Sequence, residues 1–280
     1  MKITVWGARG SVPVSGPEYV RYGGDTTCVE VETSKGETII FDGGNGIRPL
    51  GNQLVARKRR KSHILLSHAH WDHLLGFPFF KPLYRKDSSL VFHGCRHAQQ
   101  SVKVFLQKTM RAPFFPVDLA EVAAHLVFKE ECPSEIEVAD LCVTSMAISH
   151  PNNGYGFILH EGRKSFAFFP DNELCFKHPG GMEFGDYARF LRGVDVLVHD
   201  AEFLPKEYDK YAHGWGHSTW PDAVRLGLEA GVKRILLWHL NQDRSDEAVD
   251  AMLDDARRMA AKAGSDLQVD MGRAGLTIDL

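Results

Sequence analysis

Apolar positions in this chain come mostly in short runs of four to six, either unbroken or alternating with polar residues, and only a few stretches carry a helical period. Ile3-Thr4-Val5-Trp6 reads as a strand that ends at Gly7, and Arg9-Gly10-Ser11-Val12-Pro13 as a loop. Cys28-Val29-Glu30-Val31-Glu32 alternates as a half-exposed strand does. Thr38-Ile39-Ile40-Phe41 runs into the tight turn Asp42-Gly43-Gly44-Asn45-Gly46, and His63-Ile64-Leu65-Leu66 stops where a group of histidines begins. A helix is predicted from Pro49 to Ala56, another from Ser101 to Met110, and helical character from Leu119 to His125. A second strand-rich section follows, with Leu141–Met146, Phe157–Leu159, Ser165–Phe169 and Val194–Val198. The last quarter reads helix (Pro221–Ala230), strand (Arg234–Trp238), helix (Ser245–Ala263). Two strand-rich halves with helices between and after them predict two sheets packed together and covered outside by helices. No repeat or linker divides them, so residues 1–280 are expected to form a single α/β domain.

Composition changes this picture little. Over 280 residues, 44% hydrophobic and 25% charged is ordinary globular material, and a net charge of -3 argues against a dedicated polyanion binder. No secretory signal opens the chain and no run approaches the ~18 apolar residues of a membrane span. Cys28, Cys95, Cys132, Cys142 and Cys175 are odd in number and share no close pairing, as expected for reduced thiols. A soluble cytoplasmic protein with no membrane partner is the expectation.

The candidate chemistry lies at strand ends. Ser67-His68-Ala69-His70-Trp71-Asp72-His73 directly follows a strand. On extended chain, residues two apart share a face, so His68 and His70 can grip one cation. Asp72 and His73, where the chain turns, can face a neighbouring one. His150, Asp171 and His239 each stand just past an apolar strand, where open sites collect.

The H-x-H-x-D-H run, followed by isolated His, Asp and His after later strands, resembles the metallo-β-lactamase superfamily along nearly the whole chain. The resemblance implies an αββα sandwich, two mixed β-sheets flanked by helices, with a two-metal site at one edge. It implies one metal on His68, His70 and His150, the other on Asp72, His73 and His239, and Asp171 bridging them, with Asp72 also counted among the catalytic residues. It gives Asp42 the role of supporting the site as a hydrogen-bond acceptor; a plain turn residue before Gly43 is the alternative. The ligand types suit zinc, with manganese or iron as alternatives. Two divalent cations, two carboxylates and a bridging hydroxide leave about +1 by formal counting, which suits an anionic phosphodiester.

His199-Asp200-Ala201-Glu202-Phe203 and Gly214-Trp215-Gly216-His217-Ser218-Thr219 resemble segments of the ribonuclease Z and small cyclic phosphodiesterase branch. By that resemblance Asp200 orients His217, which protonates the leaving oxygen or stabilises charge on the phosphate; a loop or N-cap histidine is the plain alternative. His199 is read as structural. An aspartate at 171, in place of the cysteine of the best-known class B β-lactamases, argues against β-lactam hydrolysis. The short span 172–193 offers no basic arm for tRNA. The expectation is therefore a small cyclic phosphodiester, a cyclic nucleotide or sugar cyclic phosphate, ahead of a ribonuclease Z-like tRNA endonuclease. A non-catalytic protein of the same fold is the remote third reading. A homodimer is expected from the commonness of symmetric dimers.

The remaining features have two readings each. Arg57-Lys58-Arg59-Arg60-Lys61 is a solvated helix end or an RNA-contacting patch. Arg9 contacts a substrate phosphate or pairs with a nearby carboxylate. Phe114 and Phe115, between two prolines, are candidate substrate contacts on a lid, or core. Trp71 is expected to pack beneath the metal motif.

Overall fold

The computed structural model describes residues 1–94, 102–129 and 134–280. Cys95, Cys132 and the first residue of the helix expected from Ser101 lie outside them. One sheet has β1 (Lys2–Gly7), β2 (Cys28–Glu32), β3 (Thr38–Phe41), β4 (Lys61–Leu65), β5 (Ser89–His93) and β6 (His125–Lys129) side by side in chain order, with β14 (Thr277–Asp279) outside β1. The other runs in the order β13 (Gln268–Met271), β12 (Arg234–Trp238), β11 (Val196–Asp200), β10 (Lys164–Phe169), β9 (Tyr155–Glu161), β8 (Leu141–Ala147) and β7 (Glu135–Val138). Both are mixed. Strands β3 to β6 are parallel, as are β10 to β13, and the other pairings are antiparallel.

The unbroken apolar runs are explained by strands buried on both faces. In β12, Leu236 and Trp238 enter the core between the sheets, while Ile235 and Leu237 enter a core under the outer helices. In β10, Phe166 and Phe168 point inward and Ala167 and Phe169 outward. Phe41 links the sheets, its ring centroid 5.3 Å from those of both Phe166 and Phe168. Truncating such a fully buried ring to alanine costs about 3–5 kcal/mol.

Helices α1 (Ile47–Ala56) and α3 (Val102–Thr109) cover the outer face of the first sheet through Leu50, Leu54 and Leu106. Between them in sequence is one short turn, α2 (Trp71–Leu74). Helices α4 (Phe184–Phe190), α6 (Trp220–Ala230) and α7 (Asp246–Lys262) cover the second through Tyr187, Leu226 and Met252. A single turn, α5 (Pro205–Glu207), precedes α6. Helix α6 starts where the Thr219 hydroxyl accepts from the Asp222 amide and stops at Gly231, whose φ of 63° ends it in a left-handed turn. The expected αββα sandwich is the observed architecture.

Some expectations need correction. The stretch from Leu119 to His125 holds only one 3-10 turn, Leu119–Glu121, closed by a reciprocal Asp118–Glu121 cap. The chain then enters β6, because β5 offers it a parallel edge. Strands β5, β6, β7, β13 and β14 and helix α4 are absent from the pattern-based reading; β7, β13 and β14 are three- and four-residue edge or near-edge segments with little periodicity to read. Trp71 does not pack beneath the motif. It opens α2, the turn that buries Asp72, His73 and Leu74, and its own ring is 66% exposed.

Candidate metal centre

The ligand candidates all hang from one end of the sandwich, past the ends of strands. β4 delivers residues 68–73, β8 is followed by His150, β10 by Asp171 and β12 by His239. Asp42 and His239 stand at the strand ends with left-handed backbones, φ 59° and 58°. Such conformations in residues other than glycine recur at functional sites.

The side chains gather in two groups that share Asp171. One is His68, His70, His150 and Asp171; the other is Asp72, His73, Asp171 and His239. In the first, His70 Nδ1 faces His68 Nε2 at 3.1 Å and His150 Nε2 at 3.0 Å. In the second, His239 Nε2 lies 3.1 Å from Asp72 Oδ2 and 3.4 Å from Asp171 Oδ2, while His73 Nε2 lies 3.2 Å from Asp171 Oδ1.

Whether this constellation fits cations is decided by the far side of each ring. His150 Nδ1 is 2.8 Å from the Gly216 carbonyl, His73 Nδ1 is 2.6 Å from Asp42, and His239 Nδ1 is 2.9 Å from Glu202. The Ser67 hydroxyl donates to Asp42 Oδ2, so it accepts from His68 Nδ1 at 3.0 Å. Each acceptor fixes the proton on the outer nitrogen and turns a lone pair inward. At the centre, His73 Nε2 and Asp171 Oδ1 are buried with no hydrogen-bond partner. Inward lone pairs, two carboxylates and orphaned polar atoms at the centre are what a pair of divalent cations would satisfy.

Electrostatics agree. Burial holds the imidazoles of His68 and His70 below their ordinary value and that of His150 down to about 3, so all three are neutral donors. Burial opposes charge on Asp72 and Asp171 too, but the surrounding histidines outweigh it and keep both ionised. Those carboxylates, with Asp42 and Glu202, in turn push His73 and His239 well up against burial. The second group therefore sits in strongly negative potential.

Two glycines make room for the rings. A Cβ on Gly10 would lie 2.1 Å from His239 Nδ1, and one on Gly216 would lie 2.2 Å from His150 Nδ1.

Beside the clusters, His217 Nδ1 is 2.6 Å from Asp200 Oδ2. The other Asp200 oxygen accepts from the backbone amides of Glu202 and Ser218, both at 3.1 Å, so the carboxylate is pinned. Burial disfavours charge on His217, but Asp200 and Glu202 prevail and raise it to about 9. Burial raises Asp200 to about 6, with His217 pulling the other way. Capping of α6 falls to Thr219, which leaves His217 to Asp200. His199 is buried between Asn172 and its neighbour's carbonyl, as a structural residue.

Arg9 is not available to a substrate. It is wholly buried, donating to the carbonyls of Gly23, Asn241 and Arg244, with Asp246 at 3.8 Å. Phe115 packs against Phe79, ring centroids 5.6 Å apart, and Phe114 is exposed; neither lines the cavity beside His217. In the basic run, Arg57 pairs with Glu30 and Glu32, Arg59 with Glu32 and Arg60 with Asp87. Sequence reasoning gave no role to Glu202 or Glu173. Glu202 stands two residues beyond Asp200 on the same segment, a spacing that could have flagged it. Glu173 carried no comparable signal.

A family model for the beta-lactamase superfamily domain matches residues 37–240, and the chain belongs to that superfamily. The chain is 24% identical to a ribonuclease Z of Sulfolobus acidocaldarius over 251 residues, 74% of this chain and 80% of that one. Its fold is similar to that of the human short-form tRNase Z, with a TM-score of 0.67 at 20% identity over 100% of this chain and 99% of that one. A metallo-beta-lactamase fold protein of Bacillus subtilis is similar too, with a TM-score of 0.70 at 17% identity over 99% and 98% of the two chains.

Proposed function

We propose that this protein is a two-metal phosphodiesterase that cleaves a small phosphodiester, a cyclic nucleotide or a sugar cyclic phosphate. One observation carries the reading: an Asp200-anchored His217 stands directly beside two ligand groups that share Asp171. One ion would be held by His68, His70 and His150 and the other by Asp72, His73 and His239, with Asp171 common to both. The imidazole and carboxylate donors suit zinc, or manganese. Bound there, the cations supply polarisation of the phosphoryl oxygens and activation of water at neutral pH.

The chain's own residues do the rest. Asp42, Ser67, Glu202 and the Gly216 carbonyl set the direction of the inward lone pairs. Asp200 holds the His217 Nδ1 proton, so Nε2 is the nitrogen that delivers a proton to the departing oxygen. Burial of the cluster excludes bulk water and strengthens each of these interactions. A tRNA endonuclease, an activity to which the human relative's name points, would need a basic track to the site. Arg57, Arg59 and Arg60 are engaged in ion pairs instead.

The test is hydrolysis of bis(p-nitrophenyl) phosphate by zinc- and manganese-loaded protein, beside Asp171→Ala and His217→Ala. Metal-dependent turnover lost in both variants is expected. Absence of turnover in protein that carries both ions would refute phosphodiester chemistry.

A further inference from the structure

A cavity of about 580 Å³ opens beside His217. That lies within the ~300–1,000 Å³ range of small-molecule sites. Its inner wall belongs to the candidate centre: His217, Glu202, which holds His239, and Ser11, whose amide donates to Asp72 Oδ2 at 2.9 Å. The cavity therefore opens on the His217 side of the centre, where a departing group would lie.

The outer wall is aromatic. Trp215 is 57% exposed and Tyr211 48% exposed, and both line the cavity. Both rest on buried Phe203, at centroid distances of 6.4 Å and 6.2 Å and near-perpendicular angles, and they lie 5.8 Å from each other. Phe203 also touches His217 edge-on, at 6.1 Å. The aromatic wall and the proton donor are thus one packed unit. Its anchor is Glu173, which accepts from the amides of Gly214 and Gly216 on either side of Trp215, at 2.6 and 2.7 Å.

The charge of the lining is one-sided. Its charged side chains other than His217 are Glu202, Glu207 and Asp243, and among the described residues no lysine or arginine lines it. Glu202 is engaged with His239 and Asn241, and Glu207 with Arg244, which leaves Asp243 as a negative rim. A chain of further phosphates entering here would meet carboxylates and no cation.

We propose that this cavity is a subsite for the base of a single nucleoside, stacked on Trp215 and Tyr211, and that its acidic rim turns away a longer polynucleotide. The proposal rests on the phosphodiesterase reading for its orientation, and it names the substrate class as mononucleotide diesters over base-free sugar cyclic phosphates. Stacking is the natural match, because an exposed aromatic face takes any base without needing a hydrogen-bond code.

The experiment is equilibrium binding by calorimetry, with adenosine 5′-monophosphate, ribose 5-phosphate and a single-stranded ten-nucleotide RNA as probes. Wild-type protein, Trp215→Ala, Trp215→Phe and Asp243→Lys are compared. The mononucleotide is expected to bind about tenfold or more tightly than the base-free phosphate. Trp215→Ala removes that preference, Trp215→Phe keeps most of it, and Asp243→Lys strengthens RNA binding selectively. Equal binding of the two monophosphates, or a preference untouched by Trp215→Ala, overturns the base subsite. Tighter binding of the RNA than of the mononucleotide by wild-type protein overturns the rim. Base-dependent binding in a protein that hydrolyses no phosphodiester would leave the subsite standing and fail the phosphodiesterase reading instead.

Discussion

The imidazole of His217 stacks on that of His239, with ring centroids 4.4 Å apart and planes 23° from parallel. Each ring gives its Nδ1 to a carboxylate of the same short segment, His217 to Asp200 and His239 to Glu202. His217 and His239 are therefore aligned by residues two apart in sequence, Asp200 at the end of β11 and Glu202 just past it. His217→Asn should lower kcat by about 10²–10⁴, the usual range for a general acid. Metal content should stay at the wild-type level, since no ligand is removed. Steady-state kinetics paired with elemental analysis check this, and metal loss matching the rate loss would make His217 a ligand instead.

Glu202 acts through His239. Glu202→Gln keeps the shape but weakens the acceptor that fixes the imidazole's tautomer. A loss of metal affinity of about 10–100-fold is expected. Competition with a chelator measures it, and unchanged affinity would mean that Glu202 serves only Asn241.

Glu173 is a buried junction. It meets His178 at 2.8 Å and accepts from the Tyr208 hydroxyl and the amides of Gly214 and Gly216. Glu173→Ala leaves these buried groups without their acceptor and should destabilise the fold by about 3 kcal/mol or more. Glu173→Gln, which still accepts, should cost less. Urea denaturation separates the two, and equal stability of all three proteins would contradict the role.

The His63–His93 pair gives a pH dependence away from the metal centre. His63 Nδ1 and His93 Nε2 lie 3.1 Å apart, the rings are stacked, and burial holds both groups down to about 4. Unfolded histidine titrates near 6.5. Between those values the unfolded chain binds more protons than the folded one. Their contribution to stability is thus fully present above about pH 6.5 and is lost as pH falls toward 4. Denaturant midpoints at pH 7 and pH 5 should differ in that direction, and His63→Gln should shrink the difference. The same difference in the variant would place its origin elsewhere.

The sequence made the centre legible because its ligands follow apolar strands that stop at one end of the fold, as β4, β10 and β12 do. Short, weakly patterned strands such as β7 and β14 carry almost no local signal and exist through their neighbours. Arg9 reads as a phosphate contact or as a partner of a nearby carboxylate, and its guanidinium ties its loop to the backbone near α7 with Asp246 3.8 Å away. The aromatic wall is equally hidden: Trp215 and Tyr211 are four residues apart and touch each other, but the buried ring that backs both, Phe203, comes from another segment.

The central claim is that Asp171 is shared by two cations. Anomalous diffraction from zinc-loaded crystals of the wild-type protein and of Asp171→Ala tests it most directly. Two peaks flanking the Asp171 carboxylate, one toward His68, His70 and His150 and one toward Asp72, His73 and His239, are predicted, with at least one lost in the variant. A single peak in the wild-type protein, or two peaks unaffected by removing Asp171, would contradict the account.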